Sequence, residues 1–196
     1  MKLLIAIPTV DYIHHMFVES LVKLSSRLTS EGIEHDICFQ SGTLLYLERD
    51  ALVWKAIDGG YTHMLWLDAD MVFDEDVFDK LYKTGKDFVS SVYVSRHGKN
   101  GPVLFDNLGL SHRFESYPDD TFRIEGCGFG CVLMKTDIPE YIMNQYGTCF
   151  VPNRDYGEDL AFCEKVLKHN FEMWATSKVF VGHIGHTVFF PEPSSR

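Results

Sequence analysis

The sequence lacks any apolar run long enough for a membrane-spanning helix. Such a helix needs about 20 consecutive apolar residues, whereas the apolar stretch within residues 1–8 is short and ends at Pro8. The stretch also lacks the longer apolar region and the small-residue cleavage site of a signal peptide. We therefore expect no membrane span, and we interpret these residues as the first buried strand of a cytoplasmic protein.

Cysteines are few, and their spacing fits no common framework. There are five, an odd number, and no two of them form a C-x-x-C pair: Cys38, Cys127, Cys131, Cys149 and Cys163. This pattern is typical of neither a disulfide scaffold nor a structural zinc site, and it indicates a reducing compartment.

Basic residues are also in short supply. The chain has 18 Lys and Arg against 28 Asp and Glu, a formal net charge of −10. This balance argues against a protein that grips nucleic acid through bulk charge, although it does not exclude a local basic groove. Clustered carboxylates would instead suit a divalent cation.

The chain does have ample material for a core. Its 196 residues are 45% hydrophobic and 14% aromatic, which indicates one folded domain of ordinary size. We expect a single domain over residues 1–190 and a frayed tail over 191–196.

Strands and helices alternate in the first half of the chain. The patterning predicts strands at 3–7, 34–39, 62–67 and 87–94, and helices at 15–28, 47–57 and 74–82. The second half predicts loops and short antiparallel strands over 95–120, strands near 122–124, 132–134 and 179–181, and helices at 136–145 and 158–169. The alternation predicts an α/β fold, with a central mixed, mostly parallel sheet flanked by helices.

Two carboxylates, Asp68 and Asp70, follow the predicted strand 62–67 directly. Ligands of open α/β sheets bind outside the carboxyl ends of the strands. Two carboxylates so close together repel each other unless a cation lies between them, and hard divalent cations bridge carboxylates to phosphates. The pattern favours a site for a metal and a nucleoside diphosphate, although a polar turn before a helix has the same sequence.

Two histidines follow the last predicted strand, His183 and His186. Histidine is a common metal ligand, and the glycines beside each let the backbone approach a ligand closely. His183 is the better candidate ligand because it comes directly after the strand. One surface and one core histidine would give the same pattern.

Acidic residues open the predicted helix 158–169. Asp159 could accept a proton from an attacking hydroxyl as a general base, with Glu158 as the adjacent candidate. Only one of the two side chains is expected to reach a substrate, since neighbouring helix residues point in different directions. Favourable charge at a helix N-terminus is the alternative interpretation.

Two further features have open interpretations. Glycines alternate over 126–130, which suggests a backbone wall on the acceptor or sugar side at Gly126, Cys127 and Gly128, or else a bulge or tight strand crossing. Arg49 could pair with a pyrophosphate, brace Asp68, or form a surface ion pair.

Taken in order, these residues resemble a glycosyltransferase of the GT-A type, similar to family 2 in a compact phage or bacterial form. The resemblance rests on the strand end at Pro8 and Thr9, Arg49-Asp50, the 66–71 segment, the 126–130 glycines, residues 157–159 and Gly182-His183. It covers nearly the whole chain.

The resemblance implies a role for each matching residue. Pro8, Thr9 and Val10 would line the pocket for the nucleotide base. Arg49, Asp68, Ala69 and Asp70 would contact the rest of the donor. Asp70, His183 and Asp68 would ligate Mn²⁺ or Mg²⁺, and Asp159 would be the catalytic base if the enzyme inverts.

The resemblance also implies a reaction and its partners. The donor would be a nucleotide sugar, with a UDP-sugar favoured, and the acceptor a glycan, a modified nucleic acid or a small molecule. Residues 1–94 would form the nucleotide-binding half and 95–190 the acceptor-side half. A phage-encoded chain would work in the host cytoplasm.

Two other functions stay open at this point. A nucleotidyltransferase would carry a phosphate loop rich in glycine and lysine after its first strand, and residues 8–12 contain neither. A non-catalytic nucleotide- or sugar-binding module would not need Asp70, Asp159 and His183 together.

Overall fold

The computed structural model describes residues 1–10, 12–96 and 101–185 together with the backbone of 188–189. The helices are α1 (His15–Ser30), α2 (Leu45–Asp58), α3 (Val77–Tyr82), α4 (Asp137–Tyr146) and α5 (Glu158–Lys168). The strands are β1 (Lys2–Thr9), β2 (Glu34–Ser41), β3 (His63–Leu67), β4 (Met71–Phe73), β5 (Phe88–Ser91), β6 (Leu104–Asn107), β7 (His112–Arg113), β8 (Thr121–Ile124), β9 (Gly126–Cys127), β10 (Cys131–Lys135), β11 (Met173–Thr176), β12 (Val181–Ile184) and β13 (Val188–Phe189). His186 and the predicted tail over 191–196 lie outside the described residues.

A seven-stranded sheet in the order β2-β1-β3-β10-β5-β11-β8 organises this part of the chain. β1 pairs in parallel with β2 and β3, and β5 pairs in parallel with β11. β10 runs antiparallel between β3 and β5, and β8 runs antiparallel to β11. Five of the strands therefore share one direction, which confirms the predicted α/β fold with a mixed, mostly parallel sheet.

The core lies on both faces of this sheet. The side chains of β1 alternate between two buried clusters, with Leu4 and Ala6 in one and Leu3, Ile5 and Ile7 in the other. Helices α2, α4 and α5 cover the first cluster, and α1 and α3 cover the second. A strand buried on both faces reads as a continuous apolar run, which is why β1 is visible in the sequence.

Two small sheets extend the fold. One has the order β13-β12-β4 and the other β7-β6-β9. In the first, β12 pairs antiparallel with β4, and His183 lies opposite Met71. This register brings the late histidine next to the turn that follows β3.

The structure differs from the prediction in several elements. β4 and β11 are strands that the sequence patterning does not predict, because each is short and is defined by its pairing partners. The predicted last strand at 179–181 instead begins at Val181. Helix α3 begins at Val77 rather than at Asp74.

Two further expectations concern the state of the cysteines and the absence of a membrane-spanning helix. All five cysteines are buried and free. Among the described residues, no helix has both the length and the apolar composition that crossing a membrane requires.

Candidate active site

The turn after β3 lies at the carboxyl edge of the central sheet and is fixed by backbone hydrogen bonds. The amide of Asp68 donates to the carbonyl of Gly130 at 3.1 Å, and the amide of Met71 donates to the carbonyl of Asp68 at 3.2 Å. The amide of Ile184 donates to the carbonyl of Asp70 at 2.7 Å. Strands on both sides thus hold the backbone that carries the two carboxylates.

A cleft of about 700 Å³ opens beside this turn. It is lined by Pro8, Thr9, Val10, Tyr12, His14, Leu45, Asp68, Ala69, Asp70, Arg96, Ile184 and Gly185. All the predicted donor-side residues except Arg49 are in this set. The segment after β1 supplies apolar and aromatic surface, and the turn after β3 supplies charge.

Asp70 and His183 form a close pair at the cleft. Nε2 of His183 lies 3.2 Å from Oδ2 of Asp70, and Nδ1 lies 3.0 Å from the carbonyl of Val94. Since a carbonyl only accepts, Nδ1 carries a proton and Nε2 faces the carboxylate. Two acceptor atoms facing each other need a proton or a cation between them.

The pKa of His183 reflects this arrangement. Burial lowers it, but the hydrogen bond and charge of Asp70 and the bond to Val94 raise it, and the net pKa lies above the ordinary value. The ring of Tyr93 packs edge-on against the imidazole at 5.8 Å between centroids. The histidine is therefore held from several sides, with 14% of its side chain exposed.

Arg49, in α2, is a buried cation between two carboxylates. Its side chain is 1% exposed. Nη2 donates to Oδ1 of Asp68 at 3.0 Å and lies 3.3 Å from Oδ1 of Asp159. Of the three interpretations that the sequence allows, the structure shows the one in which Arg49 braces Asp68.

The rest of the Arg49 guanidinium lies among aromatic rings. Its carbon is 5.4 Å from the ring centroid of Phe129, 5.7 Å from that of Phe150 and 5.8 Å from that of Trp66. Nε and Nη1 are buried without a hydrogen-bond partner among the described residues. Burial lowers the pKa of Arg49, but Asp159 and Asp68 more than offset this effect, so the group stays charged.

Asp159 lies in the first turn of α5, on the other side of Arg49. Its Oδ2 accepts a hydrogen bond from the amide of Phe129 at 3.2 Å. Burial raises the pKa of Asp159 to about 7, against the lowering effect of Arg49 and with the added repulsion of Asp68 and Glu158. Burial also raises the pKa of Asp68, although Arg49 lowers it. The structure thus brings Asp159 together with the β3 turn through one shared cation.

The remaining predicted residues lie farther from the cleft. Glu158 is half-buried beside Asp159, where its charge raises the pKa of its neighbour. Gly126, Cys127 and Gly128 are buried and do not line the cleft. A Cβ at Gly128 would lie 2.2 Å from Oη of Tyr93, so close packing explains this glycine. The acceptor-side role of these three residues stays a prediction.

Two residues of the site are missed by sequence reasoning. Arg96 lines the cleft, and its Nη1 lies 3.4 Å from Oδ2 of Asp70. Tyr93 is buried, and its hydroxyl accepts a hydrogen bond from the amide of Gly130 at 3.1 Å. The available signal was their place at the end of the strand predicted at 87–94 (Tyr93) and just after it (Arg96), on the edge where ligands bind.

The candidate metal ligands that the structure brings together are two side chains rather than a cluster of three or more. Within residues 1–10, 12–96 and 101–185, no three histidine, cysteine or carboxylate side chains gather as a metal cluster. Of these residue types in that part of the chain, Asp70 and His183 are the pair in contact beside the cleft. The predicted alternative His186 is outside the described residues.

Comparison with known proteins shows which solved structures share this fold. No protein-family model matches the sequence, and no curated protein sequence matches it. Among solved structures, A197 from STIV is similar over 100% of this chain and 97% of its own, with a TM-score of 0.68 and 18% identity. The catalytic domain of Drosophila beta1,4-galactosyltransferase 7, in complex with xylobiose, is similar over 100% of this chain and 71% of its own, with a TM-score of 0.55 and 13% identity. At these identities the fold is shared, and membership of family 2 stays a prediction.

Proposed function

We propose that this protein is a metal-dependent glycosyltransferase, which moves a sugar from a nucleoside diphosphate donor to an acceptor hydroxyl. The main observation is the pairing of Asp70 with His183 at a cleft beside the end of β1. The fold, which is similar to that of a galactosyltransferase catalytic domain, supports the proposal. The donor favoured by the sequence resemblance is a UDP-sugar.

Asp70 and His183 are the residues that would hold Mn²⁺ or Mg²⁺. The donor set fits, because a carboxylate oxygen and an imidazole nitrogen face each other and the other nitrogen is oriented by the carbonyl of Val94. Such orientation of a ligating histidine is usual in metal sites. The metal would offset the charge that develops on the leaving diphosphate. Asp68 would act beside it, with one oxygen fixed by Arg49.

The two sides of the cleft suit the two ends of a nucleotide. Pro8, Thr9 and Val10 would contact the base, and the backbone at Ala69 would lie near the ribose and phosphates. The apolar surface after β1 would exclude water from one face of the base, and the turn after β3 carries the charged groups. A pocket with a few polar groups converging at one end is the usual form of a cofactor or substrate site.

Asp159 is the proposed general base for the acceptor hydroxyl. A quarter of its side chain is exposed, and a pKa of about 7 matches the requirement for a base at neutral pH. The hydroxyl proton would move to the carboxylate as the oxygen attacks the sugar, and Arg49 would hold the carboxylate in position throughout.

Calorimetric titration of UDP and GDP, each with and without Mn²⁺, tests the donor site. We expect binding of one nucleotide that depends on Mn²⁺ and is abolished in Asp70→Ala. Asp87→Ala is the matched control, because Asp87 is an ion-paired aspartate outside the cleft, 2.7 Å from Lys135. Failure of the wild-type protein to bind either nucleotide at any Mn²⁺ concentration would contradict the proposal.

The Asp159→Asn variant distinguishes an enzyme from a non-catalytic binding module. Removing a general base costs about 10²- to 10⁴-fold in rate, so release of nucleoside diphosphate from a bound nucleotide sugar should fall by at least about 100-fold. Nucleotide affinity should stay within about threefold of wild type, since Asp159 does not line the cleft. Unchanged turnover would rule out Asp159 as the base.

A further inference from the structure

Two side chains, those of His183 and Arg96, contact one oxygen of Asp70. Oδ2 lies 3.2 Å from Nε2 of His183 and 3.4 Å from Nη1 of Arg96. The proposed function uses the histidine as a metal ligand and leaves the arginine without a role. A guanidinium on that oxygen competes with a divalent cation, because both would occupy the same space and neutralise the same carboxylate charge.

The two groups are held very differently. His183 is 14% exposed, lies on β12 and is fixed by the carbonyl of Val94. The Arg96 side chain is 59% exposed, so its ion pair with Asp70 is largely solvated. Solvated ion pairs are weak and are easily exchanged for stronger partners.

The distribution of charge in the cleft indicates a second partner for Arg96, the diphosphate of the donor. Of the described residues that line the cleft, Arg96 alone is a lysine or arginine, while Asp68 and Asp70 are carboxylates. A nucleoside diphosphate brings more negative charge into the same space. Guanidinium groups bind phosphate oxygens through two parallel hydrogen bonds, more strongly than a solvated carboxylate pair.

We propose that Arg96 is an exchangeable counter-ion of this site, which pairs with Asp70 in the absence of ligands and with the donor diphosphate when a divalent cation binds Asp70. This inference rests on the proposed glycosyltransferase function and adds a residue that links the metal to the donor. Arg96 then opposes metal binding in the absence of nucleotide and favours nucleotide binding in the presence of metal. Since coupling between ligands is reciprocal, the metal and the diphosphate assist each other through this residue.

The opposite signs of the two effects make the inference testable with Arg96→Gln. Mn²⁺ titrated alone should bind this variant about 2- to 5-fold more tightly, the size of an exposed ion pair. UDP or GDP titrated at saturating Mn²⁺ should bind it about tenfold more weakly, since a hydrogen-bonded charge is lost. A residue that only supports the fold would not tighten one ligand and weaken the other.

Arg123→Gln is the matched control. Its side chain is also 59% exposed and pairs with a carboxylate, Glu172, at 2.8 Å, but it does not line the cleft. Both affinities should stay at the wild-type value in this variant. Calorimetry on the full chain measures both titrations for the wild-type protein and for each of the two variants.

The possible failures are distinguishable. Mn²⁺ affinity in Arg96→Gln that is unchanged or weaker overturns the exchange at Asp70. Nucleotide affinity that is unchanged overturns the role at the diphosphate, while the proposed function stands. Wild-type protein that binds Mn²⁺ but neither nucleotide overturns the proposed function, and with it the diphosphate part of this inference.

Discussion

At the scale of single residues, Arg49 links the two acidic parts of the site. One buried guanidinium contacts Asp68 after β3 and Asp159 in α5. Burying three charges together is costly unless they compensate one another. The cost is visible in the raised pKa values of both carboxyl groups.

Replacing Arg49 should therefore destabilise the fold in a pH-dependent way. Arg49→Met keeps much of the volume among the aromatic rings but leaves two partly buried carboxylates without a counter-ion. We expect the free energy of unfolding to fall by about 3 kcal/mol at pH 8. The loss should be smaller at pH 5, because Asp159, with a pKa of about 7, is then mostly protonated.

Urea unfolding at the two pH values measures this difference. Arg113→Met, at an exposed arginine over the ring of Phe105, is the control and should change stability by less than about 1 kcal/mol at either pH. An equal or larger loss at pH 5 for Arg49→Met would show that the carboxylates are not what Arg49 compensates.

The sequence identifies some of these residues better than others. Asp68, Asp70 and His183 are recognisable because their types suit metal chemistry and each is next to a predicted strand. From the sequence alone, three interpretations of Arg49 stay open, because its burial depends on rings contributed from distant parts of the chain. Arg96 follows a strand without any motif, and only its contact with Asp70 reveals it.

At the scale of elements, the glycines between β9 and β10 make room for Tyr93. The Tyr93 hydroxyl accepts the amide hydrogen of Gly130. A Cβ at Gly128 would lie 2.2 Å from that hydroxyl and 3.4 Å from the ring carbon that carries it. The tyrosine in turn packs against His183.

Gly128→Ala should destabilise the protein, and removing the hydroxyl should partly rescue it. We expect a loss of about 1–3 kcal/mol for the single variant, the usual cost of overpacking. Gly128→Ala combined with Tyr93→Phe should be more stable than the sum of the two single changes predicts. Thermal or urea unfolding of the four proteins gives the coupling, and additive losses would contradict the packing argument.

Elements with strong local patterning are predictable, and those defined by pairing are not. β1 carries a continuous apolar run and α1 an apolar periodicity, and both appear where the sequence places them. β4 has three residues and β11 has four, too few to show a period. Their conformation is set by strands that are distant in sequence, so no local rule could find them.

At the scale of the whole molecule, the predicted halves form a single sheet. Strands β10 and β11 come from residues after 94, and both pair with β5 from before it. The candidate site also draws on both halves. The end of β1, the turn after β3 and α2 come from the first half, and α5 and β12 come from the second. Binding at the cleft should therefore stabilise the entire fold.

We expect the unfolding temperature to rise most when metal and nucleotide are present together. A ligand at 100 times its Kd adds about 2.7 kcal/mol, which corresponds to roughly 5–10 °C for a chain of this size. Differential scanning fluorimetry with Mn²⁺, with UDP or GDP, and with both measures the shift. Asp70→Ala should show no shift, and a shift equal to that of wild type would contradict the assignment of the site.

The place of β10 between β3 and β5 also sets an order on biosynthesis. As the chain leaves the ribosome, β1, β2 and β3 can pair at once, but β5 emerges before either strand that flanks it in the sheet. Until β10 and β11 follow, β5 is a strand with two open edges, which is a hazard for aggregation during folding. A nascent chain stalled before residue 131 would therefore be a natural client for chaperones.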